Sequence, residues 1–196
     1  TGNFNTAAID AIAKPKTIDP DGPAGFASFM SATEATAVVY DTCFYASECV
    51  VGATWNVELA EKMGNAVGNE ALVGNERGDG RPYSGWYAPA VNIHRSPFSG
   101  RNWEYYSEDG LLSGKMASGV VQGAQKKGVY TMMKHFAFND QETDRDSNGL
   151  ITWLNEQAMR EIYLKPFEVA VKEGGTMGIM SSFNRVGTVW AGGCYE

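Results

Sequence analysis

A lysine and a histidine stand side by side at the end of an apolar run, Lys134 and His135, and open the polar stretch "KHFAFNDQETDR", which closes on Arg145. Two chemistries suit such a pair. One is general acid–base work, but a Lys–His base needs a nucleophile, and no Ser or Cys in a context such as GxSxG accompanies it. The other is donation of hydrogen bonds to the hydroxyls of a neutral ligand, which fits better. The ordinary reading is a satisfied core histidine beside a snorkelling lysine. Successive strand side chains alternate faces. Both residues reach one site only if the backbone leaves regular strand geometry there, through strain or a cis peptide bond.

Three more constellations carry candidate groups. "NIHRSPFSGRNWEYYSEDG" gathers Arg, Asn, Trp, Glu and two Tyr. Aromatics beside hydrogen-bonding groups suit sugars, which have apolar faces and polar edges, and Arg101 offers directional donors from a planar fork. "DPDGPAG" is by itself a turn, since Pro, Asp and Gly all favour turns; a carboxylate on it, Asp21, could accept two hydroxyl hydrogen bonds. "MSSFN" ends a short apolar segment, and its Met180 either fills the core or walls a pocket.

Composition excludes other classes. The chain of 196 residues has a formal net charge of −7 with 43% hydrophobic and 20% charged residues. That is an ordinary globular balance, enough for one domain with a sizeable core. The acidic balance speaks against nucleic acid and anionic membrane as partners, and no apolar run approaches the ~18 residues of a span. Three cysteines (Cys43, Cys49, Cys194) and two histidines give neither a disulfide framework nor a zinc site, so buried or incidental thiols are expected and no metal or cofactor. The start, "TGNFNTAAIDAIAKPK", lacks the charged-then-apolar order of a leader. With so few cysteines, cytoplasm is favoured over secretion.

The elements that must position these groups alternate. "TWNVELAEKMGNAVGNEAL" places Leu59, Met63, Ala66, Val67 and Leu72 on one helical face behind an Asn56 N-cap. "GWYAPAVNI" is a short strand entering a loop. "SEDGLLSGKMASGVVQGAQKKG" begins with acidic caps and ends in lysines and glycine, the order of a helix. "VYTMMK" and "TMGIMSSF" are strands. "WLNEQAMREIYLKPFEVAVKEGG" is a helix in two parts, kinked or restarted at Pro166 and stopped at Gly174 and Gly175. Strand, polar loop, helix, strand, repeated, predicts a parallel α/β architecture. Its polar loops all follow strands, where the sites of such folds lie.

"DGPAG", "ATWN", "NIHRSPFSGRNWEYYSEDG", "KHFAFNDQETDR", "NEQAMREIYLKPFE" and "MSSFNRVG" together resemble, in order and spacing, family 3 glycoside hydrolases of the bacterial β-glucosidase type. The resemblance spans nearly the whole chain. It implies a (β/α)8 TIM-type barrel with a glucose ring at its C-terminal face. Asp21 would bind hydroxyls far from the anomeric carbon. Arg101, Lys134, His135 and Arg145 would bind other ring hydroxyls, Met180 would line the pocket, and cis peptide bonds would accompany the Lys-His region. Members acting on N-acetylglucosamine carry a "KHFPGHG"-like loop with a second histidine; "KHFAFND" points to the glucosidase branch. Phe183 stands where many members have Tyr.

The same resemblance implies a retaining reaction by two carboxyl groups ~5–5.5 Å apart. The family's nucleophile is an aspartate in a later "GF-(V/I)-(S/T)-D" segment, and its acid/base glutamate lies elsewhere. The chain ends at "WAGGCYE", before such a segment. Residues 1–196 are therefore read as one partial barrel domain lacking its last strands. No catalytic group is assigned, and Glu104 and Glu142 are given structural or hydrogen-bonding roles. The expected function is the sugar-binding part of a retaining β-glucosidase, inactive alone. Its partners are a β-glucoside or oligosaccharide and the remainder of the polypeptide, or a second chain, completing the barrel. A β-xylosidase and a non-catalytic sugar-binding module are the alternatives. A barrel enzyme for phosphorylated substrates is the weakest reading, since no glycine-rich phosphate loop is present.

Overall fold

A computed structural model describes residues 5–26, 42–76, 83–145 and 149–195. Its centre is a parallel sheet. The strands β3 (Gly85–Trp86), β4 (Tyr130–Phe136) and β6 (Gly178–Ser181) lie in the order β3-β4-β6, all parallel. The segment 17–21 joins the free side of β3 through parallel bridges at Ile18–Tyr83 and Asp21–Tyr87, and Ala90 extends the pairing against Lys134. That segment begins as β2 (Thr17–Ile18), which also pairs antiparallel with β1 (Asn5–Thr6). Four neighbouring parallel segments are half of the eight in a closed barrel: the fold is α/β, a partial TIM-type barrel.

Helices cover this sheet. After α1 (Glu48–Ala53) comes α2 (Val57–Glu76), which starts where the Asn56 carboxamide accepts from the Leu59 amide at 3.0 Å. The helix α3 (Gly110–Gln125) is capped by Asp109 in the same way, 2.7 Å from the Leu112 amide. The buried face of α2 agrees with the expected one at Met63 and Val67 but is rotated away from Leu59 and Leu72. Leu59 and Leu72 are 45% and 41% exposed, while Ala60, Met63, Gly64, Val67, Gly68 and Ala71 are buried. The reason is the closeness of α3. A Cβ on Gly64 would lie 2.1 Å from the Val120 carbonyl, and one on Gly123 2.1 Å from that of Glu61. Helices at that separation select small residues, and size-weighted periodicity points to the wrong stripe.

The helical region after β5 (Ile151–Thr152) is segmented: α4 (Glu156–Ala158), a π turn over Met159–Tyr163, α5 (Lys165–Val169) and a second π turn over Ala170–Gly174. Pro166 restarts it in the first turn of α5, where a missing N–H costs nothing. Gly175, at φ 71°, ends it. Beyond β6 the chain turns back through a hairpin, β7 (Arg185–Val186) and β8 (Val189–Trp190), with β5 pairing parallel to β7. The cysteines are free; Cys43 and Cys194 are exposed and Cys49 half-buried, so none is a core thiol. Among the described residues no helix is long and apolar enough to cross a membrane.

Two features mark where the sheet stops. Among the described residues β6 has a partner on one side only, and Ile179 on it is 48% exposed. A groove of ≈ 1010 Å³ opens between the ends of β4, the β7–β8 hairpin and the α4 region, lined by Phe136, Trp153, Leu164 and Val189 among others.

Candidate functional site

The C-terminal ends of the four parallel segments bring most of the candidates together. Asp21 ends the first. Arg101 follows the second, on the loop that a Ser99–Asn102 hydrogen bond of 2.6 Å and an Asn102–Ser96 carbonyl bond of 2.8 Å hold in shape. Lys134 and His135 end the third, and Met180 lies on the fourth.

The Lys-His geometry is resolved by the register. Met133 pairs with Ile179 and Phe136 with Ser181, so Lys134 and His135 together stand opposite the single residue Met180. Two residues against one is a bulge, which breaks the alternation of faces and re-aims side chains. The Lys134–His135 and Phe136–Ala137 peptides are cis. Asn92 fastens the deviation: its carboxamide oxygen accepts from the His135 amide at 2.8 Å and its nitrogen donates to the His135 carbonyl at 3.0 Å.

The result is one buried cluster. Lys134 is 1% exposed, and its ammonium donates to Asp21 Oδ1 at 2.5 Å. Asp21 is held by the Gly22 amide at 2.8 Å, and the buried Trp86 indole donates to the Gly22 carbonyl at 2.6 Å. Arg101 is ion-paired with Glu104, reaches Glu142 at 3.7 Å and donates to His135 Nε2 at 3.1 Å. Arginine has only donors, so Nε2 accepts and the histidine proton sits on Nδ1. Burial, then the charges of Arg101, Lys134 and Arg145, push His135 well below the usual histidine range, leaving it neutral. Arg145 joins through Glu142 at 2.9 Å and lies over the Phe183 ring, 4.8 Å from its centre. Asn139 also donates to Glu142 at 2.9 Å.

Burial raises Glu104 above the ordinary carboxylate range, while Lys134 and Arg101 pull the other way. Both acidic residues singled out in the sequence, Glu104 and Glu142, are thus occupied by arginines. Met180 is half-buried beside the bulge. One residue escaped the sequence reading. Glu48 is 1% exposed and directs both carboxylate oxygens at the Ala90 amide, at 3.0 and 3.2 Å. The available signal was a lone carboxylate inside "YASECVVGA".

Fold and cluster define the class: a (β/α) barrel whose polar groups gather at the C-terminal rim of its parallel strands. The chain belongs to glycosyl hydrolase family 3: residues 31–191 match the family described as the glycosyl hydrolase family 3 N terminal domain. It is 38% identical over 183 residues to a β-glucosidase of Rhizobium radiobacter, covering 93% of this chain and 21% of that protein. It is 38% identical to an exo-α-(1→6)-L-arabinopyranosidase of Bifidobacterium longum, covering 95% of this chain and 24% of that protein. Among solved structures, β-glucosidase 3B of Thermotoga neapolitana in complex with glucose superimposes with a TM-score of 0.82 at 39% identity, over 95% of this chain and 25% of that one. The chain thus spans about a fifth to a quarter of the length of these relatives.

Proposed function

We propose that this chain supplies the sugar-binding half of the active site of a retaining β-glucosidase acting on terminal non-reducing β-D-glucosyl residues. The observation that carries the proposal is the convergence of Asp21, Lys134, Arg101 and His135 in one cluster at the strand ends, with Arg145 tied to it through Glu142. The cluster offers a carboxylate acceptor, cationic donors and a neutral imidazole, a set suited to a neutral polyol rather than to a charged ligand. The relatives named β-glucosidases and the glucose complex of the T. neapolitana enzyme support the same substrate class.

In this reading Asp21 accepts from two ring hydroxyls while Lys134 holds the carboxylate in place. Lys134, Arg101, His135 and Arg145 donate to the remaining oxygens, and Met180 walls the pocket. Asn92 and the bulge fix Lys134 and His135 in direction before the sugar arrives, so binding loses little rotamer entropy. The described carboxylates at the cluster already serve cations or an amide, so the nucleophile and the acid/base come from elsewhere in the polypeptide or from a second chain. That further part also covers β6 and fills the groove beside it.

The test is hydrolysis of 4-nitrophenyl β-D-glucopyranoside by the full-length gene product, with the anomer of the product read by proton NMR. Turnover with retention, lost in Asp21→Ala, is the expected result. This chain by itself should give no turnover. Turnover by the isolated chain that disappears on Asp21→Ala would place the catalytic groups within it and overturn the assignment. The arabinopyranosidases, at comparable identity, favour one added arm: aryl pentopyranosides, which lack the hydroxymethyl group.

A further inference from the structure

Ala90 sits directly opposite Lys134. The Val91 amide donates to the Lys134 carbonyl at 2.8 Å and the Lys134 amide to the Pro89 carbonyl at 3.0 Å. In a parallel pairing of this kind the amide of the intervening residue, Ala90, points away from β4 toward the other neighbour. The neighbour on that side is the segment ending at Asp21, whose last bridge is to Tyr87. Among the described residues, therefore, no strand carbonyl meets the Ala90 amide. Glu48, the first residue of α1, supplies the acceptor, with both oxygens within 3.2 Å and the whole side chain buried.

We propose that Glu48 is a positioning residue for Lys134: its carboxyl replaces the missing strand at Ala90 and so fixes the strand end against which the Lys134–Asp21 pair is registered. A buried amide left without an acceptor costs more than the hydrogen bond is worth when made. The charges facing the carboxyl are Glu104, which repels it, and Lys134, which attracts it, with Cys49 close by on its own helix. Burial pushes the carboxyl well above the usual range, which makes Gln a close mimic of its neutral form. Leu, similar in volume, restores packing and no acceptor.

The kinetic arm rests on the glycosidase reading and compares Glu48→Gln with Glu48→Leu in the full-length gene product. Glu48→Gln keeps kcat/KM near the parent value, while Glu48→Leu loses on the order of 10- to 100-fold through misplacement of Lys134. An active Glu48→Leu enzyme, or a Glu48→Gln enzyme as damaged as it, overturns the proposal. A second arm needs no activity. Melting temperatures of Glu48→Leu, Lys134→Met and the double variant form a cycle, and the losses should fail to add by about 2 °C or more. Additive losses overturn the coupling even if the gene product hydrolyses no glycoside. Absent turnover with a non-additive cycle retires the glycosidase reading and leaves the positioning role standing.

Discussion

Replacing Asp21 with Asn tests how the buried lysine is compensated. Lys134 is 1% exposed and its only described hydrogen bond from the ammonium runs to Asp21 Oδ1 at 2.5 Å. Removing one partner of a buried ion pair costs about 3–5 kcal/mol, because the other charge stays desolvated. Two effects reduce that here. Glu104 also acts on Lys134 electrostatically, which argues for the lower end of the range. The Asn carboxamide oxygen can still accept from Lys134 and from the Gly22 amide, returning about 1 kcal/mol. A net loss of ~2–3 kcal/mol is therefore expected. Chemical denaturation followed by tryptophan emission reads it, since the buried Trp86 indole is bonded to Gly22, the neighbour of Asp21. The exposed Glu108→Gln serves as control. A loss for Asp21→Asn within about 0.5 kcal/mol of that control would mean that Asp21 does not carry the lysine charge, and the account of the cluster would fall.

Gly123→Ala gains about 1 kcal/mol in helix propensity but sets a methyl 2.1 Å from the Glu61 carbonyl; overpacking wins, and thermal unfolding should show a net loss of about 1–2 kcal/mol. Asp140 is pushed up to about 6 by burial, against the pull of Arg95. A carboxyl raised in the folded state lends stability in full below its unfolded value near 3.8 and loses it as pH rises through about 6. Asp140→Asn should therefore match the parent in unfolding free energy near pH 4 and exceed it by about 1–3 kcal/mol near pH 7.5; equal pH dependence of parent and variant would contradict this. Arg101→Lys replaces a fork that meets Glu104, Glu142 and His135 with a single point charge. On the proposed function it lowers kcat/KM for an aryl β-glucoside on the order of 10²-fold, with little change in unfolding temperature.

The parallel α/β order was legible because helix caps and strand-ending polar loops leave local marks: Asn56 and Asp109 cap where their neighbours required. The helix face of α2 was legible only at Met63 and Val67. Burial there follows from how closely α3 approaches, a tertiary distance that selects Gly64 and Gly123 and leaves Leu59 outside. The β7–β8 hairpin was missed as well. "NRVGTVW" carries a turn glycine, Gly187 at φ 57°, but only two paired residues on each side, too few for a strand pattern. In the cluster, residue type marked side chains that the structure brings together, and the paradox of adjacent Lys134 and His135 showed that the backbone must deviate. How it deviates, by a bulge pinned from Asn92, required the neighbouring strands. Glu48 was invisible for the same reason: its partner is a main-chain amide forty-two positions away.

The number of carboxyl groups at the cluster bears on what it does. Asp21 is bound to Lys134, Glu104 to Arg101, Glu142 to both arginines and Asn139, and Glu48 to the Ala90 amide. A nucleophile must be free to close on an anomeric carbon, and an acid must be free to reach a leaving oxygen, each on its own face of the ring. A carboxylate engaged by a guanidinium loses that pairing before it can attack. Glu104 is the strongest test of this logic. It is buried, raised in pKa and central, which are marks of a catalytic acid, yet its ion pair fixes Arg101, and Arg101 fixes the His135 tautomer. The chain of dependence runs from carboxylates to cations to the imidazole and, on the proposed function, ends on groups that donate to hydroxyls. That direction argues for a surface built to hold a sugar still, with the bond-breaking pair delivered to it from outside these residues.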